Sequence, residues 1–216
     1  MSRVGVLSLQ GDFACHAAML ERLGVSPVRV TLPGDLADLK ALVMPGGEST
    51  TLLRLIEATG LREPLEHFVH ERPVLATCAG LILLGRGAER LPARPFEVMD
   101  VEVERNAYGR QLDSYEAKAV LPELGGPVFP AVFIRAPRIR ACGPAVEVVA
   151  RLELPHGPAP AGEPVGVREG LRVGLCFHPE LTGDTRLHAW FLSEVAGLEL
   201  PSGAAPTRRS EAGERA

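Results

Sequence analysis

Among the four cysteines of this 216-residue chain, Cys78 alone stands where an apolar strand-like run, Pro73-Val74-Leu75-Ala76-Thr77, passes into an apolar helix-like one, Ala79 to Leu84. Its neighbours Ala76, Ala79 and Gly80 are small. This is the layout of a nucleophile elbow, in which a tight strand-to-helix turn exposes a side chain and small neighbours keep the backbone uncrowded. A helix N-terminus there offers unpaired N–H groups and positive potential, which lower a thiol pKa from about 8.5 and stabilise a nearby oxyanion. A buried cysteine closing a strand gives the same local pattern, and that pattern does not separate the two readings.

A cysteine nucleophile needs a base, and the base needs a group to orient it. Of six histidines, His67 and His70 share a polar helix with Glu63, Glu66 and Glu71 and read as a solvated face. His16 on an N-terminal helix, His156 in a proline-rich loop and His188 on the last helix read as structural or exposed. His178 differs, because it ends the apolar run Val173-Gly174-Leu175-Cys176-Phe177 and precedes Pro179-Glu180. Strand alternation would put His178 and Glu180 on one face, with Pro179 placed to distort it. A third element, Pro45-Gly46-Gly47-Glu48-Ser49-Thr50, also follows an apolar run. Adjacent glycines permit close backbone approach and N–H groups aimed at a ligand, but the Lys-Ser/Thr ending of a phosphate loop is missing, which argues against nucleotide binding.

The elements that must hold these residues alternate in the first half. Strand-like runs at Val4 to Leu9, Val28 to Leu32, Ala41 to Met44 and Pro73 to Thr77 are separated by helix-like segments. The first helix starts at Phe13, with Asp12 as N-cap, an apolar stripe of Phe13, Ala17, Leu20 and Leu23, and Gly24 at its end. Others are expected from about Thr50 to Ala58 and Pro64 to His70. The pattern predicts an α/β fold of three layers, flavodoxin-like, with a mostly parallel sheet covered on both faces. Chemistry in such folds gathers at the carboxyl ends of strands, where Cys78 and His178 both lie. The second half reads as strands at Val98 to Val103, Glu116 to Val120, Ala131 to Ile134, Val146 to Ala150, Val165 to Val167 and Val173 to Phe177. Several are expected to add antiparallel to the same sheet. A last helix from about Asp184 to Ala196 presents Leu187, Trp190, Phe191, Val195 and Leu198 on one face. Residues 1–200 read as one domain, and the small, polar, proline-bearing stretch 201–216 as a disordered tail.

Composition narrows the function classes. The chain is 46% hydrophobic and 23% charged with a net charge of −4, which suits a folded core and leaves no electrostatic footprint for nucleic acid or an anionic membrane. No apolar run approaches the roughly 20 residues that span a bilayer, and the start lacks a signal-peptide layout, so a soluble, cytoplasmic protein is expected. The cysteines form no C-x-x-C pair, so neither a metal site nor a disulfide framework is expected.

Taken in order, the three elements resemble the triad (class I) glutamine amidotransferases. Six blocks extend the match: Gly5 to Gly11, Pro45 to Thr51, Thr77-Cys78-Ala79-Gly80-Leu81-Ile82, Arg105-Asn106-Ala107-Tyr108-Gly109-Arg110-Gln111, Phe133-Ile134-Arg135-Ala136-Pro137 and Phe177-His178-Pro179-Glu180-Leu181-Thr182. Together they resemble the glutaminase subunits of two-component pyridoxal 5′-phosphate synthases over about residues 4–198. The resemblance implies hydrolysis of L-glutamine to glutamate and ammonia without a cofactor, and delivery of ammonia to a separate synthase subunit. It implies attack by Cys78, proton exchange by His178, orientation of His178 by Glu180, and oxyanion donors at the N–H groups of Gly47 and Ala79. It places glutamine against Gly47, Glu48, Ser49, Arg105, Ile134 and Arg135. An Arg suits the α-carboxylate and an acidic group or carbonyl the α-ammonium; surface salt bridges are the competing reading for Arg105 and Arg135. A glutaminase for another pathway and a silent, synthase-stabilising partner are the alternatives. The Gln10–Gly11 peptide reads either as a hinge that docking reorients or as a plain turn before the first helix.

Overall fold

The computed structural model describes residues 3–105, 107, 114–125, 128–156 and 159–201. Most of the Asn106–Gln111 block, Gly157 and Pro158 of the proline loop, and the expected tail beyond residue 201 lie outside the described residues.

Three four-residue strands carry almost unbroken apolar sequence: β1 (Val4–Leu7), β3 (Ala41–Met44) and β4 (Val74–Thr77), each buried along its whole length. Such strands suit the middle of a parallel sheet with both faces covered. Burying each Val or Leu side chain contributes about 1.5–3 kcal/mol. With β2 (Pro27–Val30) and β11 (Arg172–Leu175) they form a parallel block in the order β2-β1-β3-β4-β11. The sheet then continues antiparallel through β10 (Pro164–Glu169), β9 (Glu147–Leu152), β6 (Ser114–Val120) and β7 (Phe129–Ile134). The mostly parallel sheet with antiparallel additions agrees with the sequence reading.

β10, β9, β6 and β7 are the antiparallel additions expected of several second-half strands, and one expected strand lies apart. The strand expected at Val98 to Val103 is β5 (Val101–Glu104), and it does not join this sheet. It pairs antiparallel with β8 (Arg138–Cys142) in a separate two-stranded sheet. β8 went unread because its sequence, Arg-Ile-Arg-Ala-Cys, buries only Ile139. β5 alternates buried and exposed residues, as a strand covered on one face must.

The helices are α1 (Phe13–Arg22), α2 (Ser49–Ala58), α3 (Arg62–Glu71), α4 (Ala79–Leu84) and α5 (Arg186–Trp190), the last continuing as a π-helical turn over Phe191–Val195. Helix α1 begins where expected, yet Asp12 makes no side-chain cap. The face that it buries is also rotated from the expected one: His16, Met19 and Leu20 are inside, while Phe13 and Ala17 are half-buried. The two histidines on α1 and α5, His16 and His188, are both fully buried. Leaving β1 the chain moves outward to β2, then returns past β1 to β3, so the strand order reverses between β1 and β3. Open parallel sheets form their binding crevice at the carboxyl ends beside such a reversal.

Candidate active site

The segments after β1, β3, β4 and β11 meet at that crevice. After β4, Cys78 adopts φ 48° and ψ −104°, a left-handed conformation unfavourable for a residue with a Cβ, and α4 starts at the next residue. Strand pairing holds the strained turn: the Cys78 N–H donates to Leu175 O at 2.8 Å, next to the Thr77–Leu175 register of β4 and β11. All six residues of α4 are buried, which leaves the helix little freedom to relax the elbow. This is the nucleophile-elbow geometry, and Ala79 occupies the first helical position, where backbone N–H groups lack partners within the helix.

His178 follows β11, and its N–H donates to Val132 O on β7 at 2.8 Å. The strand stops at Leu175, so alternation does not place Glu180 beside His178. Pro179–Leu181 instead forms a short 3-10 turn, with the proline at its first position where no N–H is needed. The turn folds Glu180 back so that its Oε1 lies 2.8 Å from His178 Nδ1. His178 also interacts electrostatically with Cys78. Burial disfavours the charged imidazole, but its interaction with Cys78 and its hydrogen bond to Glu180 outweigh it and push His178 up to about 10. Burial likewise resists ionisation of Glu180, and His16 and His178 overcome it and hold that carboxyl far below the usual range.

The loop after β3 lies against the side chains of both Cys78 and His178. A Cβ on Gly46 would sit 3.1 Å from Cys78 Cβ and 3.0 Å from His178 Nδ1, so only glycine leaves room for the imidazole. Gly46 N–H donates to Thr77 Oγ1 at 2.9 Å, and Glu48 N–H donates to the Gln10 side-chain oxygen at 2.8 Å. Exposed Gly47 is therefore held between two anchored peptides. Gly11, at φ 91°, passes so close to this loop that a Cβ would collide with Gly46 O. Both readings of Gly11 thus meet in one fact: the turn before α1 is also packed on the loop after β3.

Glu48 spends its carboxylate locally. It caps α2, accepting from Thr50 N at 3.1 Å and Thr51 N at 2.7 Å, and both threonine hydroxyls also bond to it. Partial burial works to raise its pKa, but these bonds hold it at about 2. Arg105 reaches the same carboxylate at 3.4 Å and bonds Glu89 O and Arg90 O. The salt-bridge reading of Arg105 and its position beside the crevice thus hold together. Ser49 is buried as the first residue of α2. Ile134 ends β7, and its carbonyl accepts from Cys78 Sγ at 3.8 Å. Arg135 follows with φ 40° and is exposed.

Sequence reasoning missed four participants. Asp12 places Oδ2 3.8 Å from His178 Nδ1. His16 contacts Glu180, Thr77 and His188. The signal for His16 was its spacing to Leu20 and Leu23, which puts it on the buried stripe of α1. Asp12, His178 and Glu180 also lie close enough to resemble a cation site, but the hydrogen bond between His178 and Glu180 already uses that space. Elsewhere, His67 pairs with Glu71 at 3.3 Å on an exposed face, and His156 stacks on Tyr115 with centroids 3.9 Å apart. Among the described residues no helix is long and apolar enough to cross a membrane.

The chain matches the SNO glutamine amidotransferase family over residues 6–197. It is 45% identical over 196 residues to the pyridoxal 5′-phosphate synthase subunit PdxT of Desulforudis audaxviator, covering 90% of this chain and 100% of that one. It is 44% identical over 194 residues to the subunit of the same name from Thermotoga neapolitana, covering 89% and 99%. A crystal structure described as a glutamine amidotransferase superposes with a TM-score of 0.80 at 43% identity, covering 90% of this chain and 99% of that one.

Proposed function

Because the chain belongs to the SNO glutamine amidotransferase family, we propose that it hydrolyses L-glutamine to L-glutamate and ammonia and passes the ammonia to the synthase subunit of a pyridoxal 5′-phosphate synthase. What supports this reading is the placement of Cys78 beside the hydrogen-bonded pair His178–Glu180, at the carboxyl ends of β4 and β11.

Cys78 Sγ attacks the carboxamide carbon with its proton residing on His178, whose raised pKa holds it there. The oxyanion is held by the N–H groups of Gly47 and Ala79, the first in an anchored loop and the second at the start of α4. His178 then protonates the leaving nitrogen, so that the C–N bond breaks, ammonia departs and a thioester remains on Cys78. A water molecule, deprotonated by His178, attacks the thioester carbon; glutamate leaves and the proton again resides on His178. Glu180 keeps the imidazole turned toward Cys78 and balances its positive charge in both half-reactions. Arg105, beside Glu48, and Arg135, beside Ile134, are the candidate partners for the α-carboxylate. Glu48 and Ser49 contribute to the same glutamine site.

All four cysteines are free, Cys142 at the surface, which fits a reducing compartment such as the cytoplasm. The glutaminase domain is taken as residues 1–200. Ammonia release from glutamine is the test, measured with and without the synthase subunit of the same source. Release that depends on Cys78 and rises with added synthase is the expected result. No release from wild type under either condition overturns the reading.

A further inference from the structure

Glu180 has two oxygens, and His178 uses only one of them. The other, Oε2, is buried, has no hydrogen bond of good geometry and lies 3.2 Å from His16 Nε2. A buried carboxylate oxygen requires a donor, and the imidazole on α1 is the group placed to supply it. The same Nε2 lies 3.2 Å from Thr77 Oγ1, the atom that accepts the Gly46 N–H. On its far side, His16 Nδ1 lies 3.0 Å from His188 Nε2 on α5. His16, His188 and Thr77 are all fully buried.

Only one proton arrangement suits all these contacts. His188 Nδ1 is buried without a hydrogen bond, so it is better left bare than protonated, since an orphaned buried N–H is costlier than an idle acceptor. His188 therefore carries its proton on Nε2 and donates it to His16 Nδ1. Burial, the largest influence, holds His188 down at about 3, so it stays neutral. With Nδ1 accepting, His16 must carry its proton on Nε2, where it faces Glu180 and Thr77.

We infer that His16 is a positioning residue of the glutaminase centre. Its Nε2–H braces the Glu180 carboxylate from the side opposite His178 and, through Thr77, ties that carboxylate to the Gly46–Gly47 loop; His188 fixes its tautomer. One imidazole thus keeps the proton-transfer side of the site in register with the oxyanion side. The inference rests on the glutaminase reading above.

The test compares full-length wild type, His16→Leu, His16→Gln and His188→Leu, each mixed with the synthase subunit. It measures kcat and KM for glutamine, melting temperature, and the proton NMR resonance of the His178 Nδ1–H. His16→Leu should lower kcat about 10- to 100-fold, the range seen when a group that orients a functional side chain is removed. KM should stay near wild type, and the His178 Nδ1–H resonance should move. His16→Gln, whose amide N–H reaches toward the position of Nε2, should recover most of the kcat and the resonance. A folded His16→Leu with wild-type kcat and an unmoved resonance overturns the inference, as does a loss confined to KM. Where His16→Leu does not fold, His188→Leu decides: releasing the tautomer should lower kcat and move the resonance, and no change in either overturns the inference. A wild type that releases no ammonia refutes the parent reading instead.

Discussion

Adding one methyl group at Gly46 should disable the site without disturbing the fold. Gly46 does not have a positive φ, so alanine meets no backbone strain there. The cost is steric. The new Cβ would lie 3.0 Å from His178 Nδ1, nearer still to its Cε1, and 3.1 Å from Cys78 Cβ. Carbon contacts settle at about 3.5–4.0 Å, so relieving the Cε1 contact takes a retreat of more than ~1 Å. Cys78 is pinned in the elbow, which leaves the imidazole to move. It is itself bonded to Glu180 at 2.8 Å, so retreat spoils its alignment with Cys78 or with Glu180. A misplacement of about 1 Å costs on the order of 100-fold in rate. Gly46→Ala should therefore lose about two orders of magnitude in kcat, while overpacking costs about 1–3 kcal/mol of stability. Gly34→Ala is the control, because a Cβ there meets nothing within 4 Å. The assay is steady-state ammonia release with added synthase, beside a thermal melt. A folded Gly46→Ala variant with wild-type kcat would refute the argument that the loop and the imidazole share one tight space.

Other outcomes follow from the same geometry. An electrophilic glutamine analogue should label Cys78 and spare Cys15, Cys142 and Cys176, none of which stands at a strand-to-helix elbow, burial also pushing the Cys176 thiol well up; labelling of another cysteine with Cys78 untouched sinks the assignment. His178→Ala should lose about 10²–10⁴-fold in kcat, the worth of general acid–base catalysis, and Glu180→Ala should lose no more than that; full activity in His178→Ala ends the triad. Glu48→Ala should cost about 1 kcal/mol at neutral pH through the lost α2 cap. Because that carboxyl is lowered from 4.5 to about 2 in the folded chain, its contribution is present above 4.5 and disappears as pH falls toward 2, so the melting curves of wild type and variant should converge over that window; a constant gap contradicts the cap. Truncation after Leu200 should leave melting and synthase-stimulated ammonia release nearly unchanged, and a large loss of either disproves a dispensable tail.

What could be read from residues alone depended on how local each cause was. β3 and α4 appear where their apolar runs begin and end, because a buried parallel strand and a buried helix both announce themselves in short range. β8 did not, since its pairing with β5 buries one side chain and leaves Arg138, Arg140 and Cys142 without a recognisable period. The elbow at Cys78 was visible from its small neighbours. The relation of His178 to Glu180 was legible as proximity but not as geometry, because a proline-initiated turn replaces the strand that alternation assumed. His16 shows the deeper difficulty: its position on a buried stripe is written in α1, but its partners lie on α5 and at the ends of β4 and β11.

The place of β11 bears on how the chain acquires its chemistry during synthesis. β11 is inserted between β4, made long before it, and β10, its immediate predecessor. At about 5–20 residues per second, the ribosome delivers His178 several seconds after Cys78. In that interval Cys78 exists without His178, and the slot that will receive β11 is an open edge beside β4. A nascent chain is therefore chemically silent toward glutamine until nearly all of it has emerged, and ammonia is first released by a molecule whose sheet has already closed. The same vacant edge is where a holdase would protect the emerging chain, and where two unfinished copies would pair wrongly.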